Sequence, residues 1–276
     1  MNRMTWYSRL SLSGVAWAAV ALMNIPVMLV ILGSFQTTSN MSSTAGVIPT
    51  SLTLANYETV LARTPFFTYL ANSLTIAIGT TVLSAVLALL AGYAMSRYRS
   101  PLLTVFSYSL FVVQMFPVVL VLIPVFPIFR ELGTINTPIP VIILCTVFNL
   151  PFVTWMSRSY FDSIPTEIEE AARIDGCSQL GALWRIVIPL SGPGVAVISV
   201  FSFLAAFNEF FIASVFLRTA NSLTVPVGIQ MFVQQYTTDW GNLMAGCVLM
   251  MLPTLILFFF AQRYIVHGAV TGGVKG

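Results

Sequence analysis

Residues 165–190 read PTEIEEAARIDGCSQLGALWRIVIPL, and their polarity decides how the rest of the chain is read. The stretch holds Glu167, Glu169, Glu170 and Asp175, four of the nine acidic residues in the protein, together with Arg173 and Arg185. Long apolar runs lie on both sides of it. A segment this polar between apolar runs belongs outside the hydrocarbon layer, where other proteins can reach it.

Its local structure follows residue by residue. Pro165 suits a first helical turn, where its missing N–H would have no partner anyway. Thr166 and Glu169 have capping-box spacing, and acidic side chains favour a helix N-terminus. Ile168, Ala171, Ala172 and Asp175 fall on one face. Gly176 supplies the positive φ that ends a helix. Ser178 is placed to cap a second helix with the face Leu180, Leu183, Trp184 and Val187, which Pro189 stops. The expectation is two short helices around a glycine turn, with one small, apolar side that admits close approach by another protein.

The composition sets the class. Of 276 residues, 57% are hydrophobic and only 8% charged, against roughly a quarter charged in soluble domains. The chain is an integral membrane protein. A net charge of +3 gives no reason to expect nucleic acid, and the acidic first helix of the 165–190 pair would repel phosphate. Cys145, Cys177 and Cys247 are odd in number and widely spaced, with no C-x-x-C or Cys/His cluster, so neither a disulfide framework nor a zinc site is supported, and His267 has no second histidine at ligand spacing.

Six spans are expected across a hydrocarbon core of ~30 Å. Residues 1–12 precede the first, 13–35, which has neither the short apolar region nor the cleavage site of a removable signal. An outer segment, 36–65, includes a short surface helix near 56–61. A core of 66–266 follows, with spans at 66–96, 102–129, 139–156, 194–217 and 243–266. Pro117, Pro124 and Pro127 interrupt the 102–129 span. The polar loop 158–192 and a second outer loop, 218–242, lie between spans, and 267–276 form a tail too glycine-rich to continue the last helix. Broken backbone survives in a membrane only against protein or a water-filled cavity, so the prolines point either to a translocation path or to helix packing.

Lysine and arginine placement gives the orientation. With the N-terminus inside, Arg3, Arg9, Arg97, Arg99, Arg158, Arg173, Arg185, Arg263 and Lys275 are cytoplasmic, while Arg63, Arg130 and Arg218 are outside. The polar loop is then cytoplasmic. Glu209 is the one acidic residue well inside an apolar span. It must face a cavity or a partner, either hydrogen bonding to substrate hydroxyls or bridging spans. Asn208, Asn149, Gln114 and Asn72 are further candidates for the path. The chain has no G-x-x-x-x-G-K-[ST] loop, no H-E-x-x-H and no G-x-S-x-G, so neither ATP binding through a phosphate loop nor hydrolase chemistry is expected of it.

Glu170-Ala171-Ala172, Gly176 after three residues, then Ile186, Ile188 and Pro189 after nine more resemble the EAA loop of ABC-importer permease subunits. That pattern is E-A-A, three residues, G, nine residues, I-x-L-P, and Ile188 stands here for its leucine. Asp175 before the glycine resembles the I-D-G form of carbohydrate permeases. Pro49, Thr53, Asn56 and Tyr57 resemble the outer segment of sugar permeases. Ala206-Phe207-Asn208-Glu209-Phe210 is similar to their W-N-E-F segment, with Phe207 in place of tryptophan. The C-terminal residues resemble the G-x-x-x-G-[AG]-V-K-G ending of maltose-type second permease subunits.

The resemblance implies an all-α bacterial inner-membrane protein of six transmembrane helices with a type I ABC importer permease (MetI-like) core and both termini cytoplasmic. It also implies a second permease subunit, two ATPase subunits that bind ATP and Mg, an extracytoplasmic solute-binding protein and a sugar-like substrate, with no cofactor or nucleic acid for this chain. It gives ATPase coupling to Glu170, Ala171, Ala172, Asp175, Gly176, Ile186 and Pro189. The tail Gly272, Gly273, Val274, Lys275 and Gly276 would reach the seam between the ATPases. An ion-coupled secondary transporter is the alternative. Such proteins gather several ionisable groups and paired broken helices at the midplane, and only Glu209 qualifies here.

Overall fold

The computed structural model describes residues 6–38, 52–233 and 238–272, with side chains for 14–38, 52–233 and 238–263. Among these residues every regular element is helical; the single β-bridge joins Val233 and Thr238. In chain order the helices are α1 (Trp6–Ser34), α2 (Ala55–Arg63), α3 (Phe66–Arg97), α4 (Pro101–Met115), α5 (Val118–Glu131), α6 (Pro138–Asp162), α7 (Thr166–Ile174), α8 (Gln179–Leu190), α9 (Gly192–Phe207), α10 (Phe211–Phe216), α11 (Val225–Gly228) and α12 (Trp240–Gly272). Four of these are long and apolar enough to cross a membrane unbroken: Gly14–Ser34 within α1, α3, α6, and Trp240–Arg263 within α12. Two bent pairs bring the total to six if each pair is one span.

The bends fall where local chemistry breaks the helix. The expected span 102–129 is two helices, α4 and α5, meeting at 98°. Phe116 is extended at ψ 124° ahead of Pro117, because the proline ring disfavours the helical region for the residue before it. Pro124 and Pro127, expected to interrupt as well, lie inside α5. The expected span 194–217 also stops early. Helix α9 ends at Phe207, and α10 begins at Phe211 after a gap at Asn208–Phe210. Glu209 starts the second piece by accepting the Ile212 N–H on Oε1 at 2.8 Å. Helix α12 runs on to Gly272, past the expected end at Val266. Glycine costs about 1 kcal/mol in a helix, which an established helix absorbs because each added residue brings a bond without a new nucleus.

The chain divides into two compact units. The first is Met1–Thr64 with Ile229–Met251. In it, α1 is exposed on all sides from Gly14 to Leu29. Its C-terminal end is held by the buried Asn56, whose amide donates to the carbonyls of Ser34 (2.8 Å) and Gln36 (2.7 Å). Gly241 completes this contact, since a Cβ there would stand 2.8 Å from the Gln36 carbonyl and 2.9 Å from the Asn56 side chain.

The second unit is Pro65–Gly228 with Leu252–Gly276, and its core is α3, α6 and α9. Helices α3 and α6 run side by side in the same direction, because Gly79 meets Ile142, Ala88 meets Val153 and Tyr93 meets Phe161. They approach closely where Gly92 leaves room for Ser157, as glycine does at helix contacts in lipid. Helix α9 closes the core with Ile198 against Ala88 and Val153. The contact of Asn149 Nδ2 with Ser202 Oγ at 2.7 Å joins α6 to α9.

Candidate functional site

The polar stretch forms α7, a turn and α8. Pro165 precedes α7 in an extended conformation instead of occupying its first turn, and Thr166 is the first helical residue and makes no capping bond. The C-terminal end is a Schellman closure. The Cys177 N–H reaches back to the Ala172 carbonyl and the Gly176 N–H to that of Arg173, at 3.0 and 3.1 Å. Gly176 sits at φ +89° with open space where a Cβ would be, so the constraint at this position lies in its backbone. Ser178 caps α8 by accepting the Gly181 N–H at 3.1 Å.

Pro189 does not stop α8. Residues Leu183–Val187 widen into a π turn, in which the Ile188 N–H bonds Leu183 five residues back, and the helix then runs through Pro189 to Leu190. A proline ring collides with the carbonyl four residues before it in a regular helix. The wider turn lies at the place where that collision would fall. The direction changes only at Ser191, where α8 and α9 meet at 80°.

Two surfaces result. The inner one is Ala172, Ala182, Leu183 and Val187, all buried. Leu183 and Val187 join Leu89, Tyr93 and Phe161 in a cluster extended by Ile164, Ile188 and Val195. Fully burying Phe161, Leu183 and Val187 contributes roughly 1.5–3 kcal/mol each. The outer surface carries Ile174 (86% exposed), Leu180 (63%) and Trp184 (51%), with Ala171, Glu170, Asp175 and Pro189 also exposed and Ile186 half-buried. The expected faces therefore split. Ala172 turns inward while Ile168, Ala171 and Asp175 turn outward, and Leu183 and Val187 part from Leu180 and Trp184.

The capping-box role expected of Glu169 does not form, because its carboxylate turns away to fix the pair to α3, a role that sequence reasoning missed. Glu169 is only 7% exposed. Its Oε1 accepts Arg97 Nε at 2.6 Å and its Oε2 accepts the Tyr93 hydroxyl at 2.8 Å. Arg97 Nη2 also donates to the Ile164 carbonyl at 3.0 Å, just before α7. A buried charge is tolerated when it is paired and hydrogen-bonded, and here both conditions are met through Arg97, the last residue of α3. The one available signal was Arg97 itself, a cation closing an apolar helix with an acidic island downstream. Beside it, Ser96 and Arg158 hold Asp162, and Arg158 stacks over Trp155.

The five path candidates lie apart. Asn208, exposed, turns its amide back to the Leu204 carbonyl of its own helix, and half-buried Glu209 caps α10 beside it. Gln114 is exposed on α4. Asn72 donates to the carbonyls of Asn221 and Leu223, both at 2.9 Å, and lines a hollow of about 200 Å³ with Asn136, Thr219, Asn221 and Ser222 that contains none of the other four. Of the tail, Gly272 ends α12, and Gly273, Val274, Lys275 and Gly276 fall outside the described residues, as does the His267 side chain.

Comparison with known proteins gives the family. Residues 84–270 match the family described as binding-protein-dependent transport system inner membrane component. The inner membrane ABC transporter permease protein YcjP of Escherichia coli is 35% identical over 232 residues, 83% of each chain. The sulfoquinovosyl glycerol transport system permease protein SmoH of Agrobacterium fabrum is 36% identical, covering 83% of this chain and 80% of its own. The maltodextrin transport system permease protein MdxG of Bacillus subtilis is 33% identical over 82% of both. The fold matches a chain in the crystal structure of a bacterial ABC transporter involved in the import of the acidic polysaccharide alginate, with a TM-score of 0.76 at 24% identity over 96% of this chain and 100% of that one. The family match spans both helices of the polar pair, and the chain belongs to the binding-protein-dependent transport system inner membrane components, as a permease subunit of an ABC transporter.

Proposed function

We propose that this chain is one of two permease subunits of an ATP-driven importer for a sugar or sugar-like solute, and that α7 and α8 seat an ATPase subunit. Relatives named for sulfoquinovosyl glycerol, diacetylchitobiose, arabinooligosaccharide and maltodextrin transport support the substrate class. The partners are a second permease, two ATPase subunits that bind ATP and Mg, and an extracytoplasmic solute-binding protein. Both termini and the α7–α8 pair face the cytoplasm, and residues 272–276 reach the ATPase seam. The chain supplies a path and a lever, and no chemical step of its own.

The observation that carries this reading is the two-sided character of the pair. Its inner side is fastened to α3 by a buried ion pair, while Ile174, Leu180 and Trp184 are exposed on its outer side. Exposed apolar groups rimmed by charge mark a protein-binding surface. Glu170, Ala171, Asp175, Ile186 and Pro189 border it, Ala172 packs beneath it, and Gly176 sets the angle between the helices.

The gaps at Phe116–Pro117 and at Asn208–Phe210 place Gln114, Asn208 and Glu209 near broken backbone, where a solute path is expected. Asn149 and Asn72 complete the candidate set. The ion-coupled alternative needs several ionisable groups within the spans; only Glu209 qualified, and its Oε1 accepts the Ile212 N–H at the start of α10.

The test is copurification of the membrane complex with its ATPase. Trp184→Ser with Leu180→Ser is expected to release the ATPase while the two permeases stay together. Recovery of ATPase at wild-type stoichiometry from that double variant would sink the proposed seat.

A further inference from the structure

The helix that carries the α7–α8 pair at one end is also fastened to a second loop at the other. Near the start of α3, Asn72 gives both amide hydrogens to main-chain carbonyls, those of Asn221 and Leu223. Ser73, 1% exposed, accepts the Val225 N–H at 2.9 Å. Gly228 lies flat on Tyr69, where a Cβ would stand 2.3 Å from the ring. The segment 221–228 is thus laid along the first turns of α3.

Its entry, 216–219, is held elsewhere. Asn136, in the left-handed region at φ 64°, bonds the Phe216 carbonyl through its own N–H at 2.9 Å. Its Oδ1 accepts the N–H groups of Arg218 (2.7 Å) and Thr219 (3.2 Å).

Asn72 and Arg97 stand 25 positions apart on a helix with no proline between them, about 37 Å of α-helix. The two glycines in this length are filled from α6. A Cβ on Gly79 would stand 2.7 Å from Ile142, and one on Gly92 would stand 2.6 Å from Ser157 and 2.9 Å from the Arg158 backbone nitrogen. A helix braced this way moves as one piece, because packed interiors resist gradual deformation.

We infer that α3 is a strut joining the outer loop to the coupling pair, with Asn72 as the positioning residue at its outer end and the Arg97–Glu169 pair at its inner end. Docking of the solute-binding protein on the outer loop displaces α3, and α3 displaces the seat of the ATPase. The inference rests on the importer reading above and adds to it the outer loop as the docking surface of the solute-binding protein and the route from there to the ATPase seat.

The two asparagines allow a test by one isosteric exchange. Asn72 works as a donor, so Asn72→Asp turns a carboxylate towards two carbonyls and frees the loop from α3. Asn136 works as an acceptor through Oδ1, so Asn136→Asp keeps an acceptor in place and still tolerates positive φ. The complete complex, reconstituted in nanodiscs, is titrated with its own solute-binding protein in ligand-loaded form while ATP hydrolysis is followed.

Asn136→Asp is expected to behave as wild type. Asn72→Asp is expected to keep the half-saturating concentration of binding protein within about twofold. Its maximal stimulated rate is expected to fall about tenfold. A loop merely misplaced would raise the half-saturating concentration and leave the maximum alone. Full maximal stimulation in Asn72→Asp, or an equal defect in Asn136→Asp, overturns the strut. If Asn72→Asp does not assemble, Ser73→Ala removes the Val225 partner at the same end and is judged by the same criterion. A wild-type complex with no ATP hydrolysis at all would instead overturn the importer reading.

Discussion

Glu169 and its partners show how much one buried carboxylate can decide. With both charges nine-tenths buried and 2.6 Å apart, removing one leaves the other uncompensated, at a cost of about 3–5 kcal/mol. Glu169→Ala is therefore expected to lower thermal stability in detergent sharply. The paired apolar exchange, Glu169→Leu with Arg97→Leu, is expected to recover most of the loss. Equal melting temperatures for Glu169→Ala and the wild type would show that the pair contributes nothing.

Gly92 gives a second single-residue forecast. A methyl group there meets Ser157 side-chain atoms at 2.6 and 2.7 Å and the Arg158 backbone at 2.9 Å. Gly92→Ala should destabilise by about 1–3 kcal/mol through overpacking. Adding Ser157→Gly should relieve only part of this, since the backbone contact stays. Full rescue in a melting experiment would contradict the geometry.

At the scale of elements, the breaks are set by short-range chemistry. The gap between α9 and α10 is closed on one side by the Asn208 amide and on the other by the Glu209 carboxylate. Loss of a capping side chain costs about 1 kcal/mol. Glu209→Gln keeps an acceptor oxygen and is expected to transport near the wild-type rate, whereas Glu209→Ala should transport more slowly. Uptake of a radiolabelled solute in vesicles distinguishes them. Loss of uptake in Glu209→Gln would mean that the charge itself is needed.

The same scale explains what the sequence could tell. The four long apolar helices were legible as charge-free runs, because hydropathy sums over about twenty residues and tolerates local error. The glycine turn and the Ser178 cap were legible too, because both depend on neighbours within five residues. The split of the α7 and α8 faces was not. Periodicity marks which residues share a face, but Ile168 and Ala171 lie outward and Glu169 inward because Arg97, seventy-two positions upstream, draws the carboxylate in. The break at Phe116–Pro117 was half-legible. Three prolines were visible in that span, and only the one with an extended residue before it opened the helix. The role of Asn72 was hidden for the same reason as that of Glu169, since its partners lie some 150 residues along the chain.

At the scale of the whole molecule, the importer reading requires the α7–α8 turn and the 218–224 segment to lie on opposite sides of the membrane. In a background with Cys145, Cys177 and Cys247 replaced by serine or alanine, Ser222→Cys is expected to react with a membrane-impermeant maleimide added to intact spheroplasts. Ser178→Cys is expected to react only after the membrane is opened. Labelling of both cysteines in intact spheroplasts would contradict the orientation. Helix α1, exposed along Gly14–Leu29, leaves ample surface for lipid or for the second permease.

The seclusion of the Arg97–Glu169 contact has a bearing on how such a complex behaves in molar sodium chloride. Ions in solution damp attractions between charges in contact with solvent far more than those held inside protein. A brine wash of membranes should detach peripheral subunits and leave their landing platform folded, so that dilution alone restores ATP turnover.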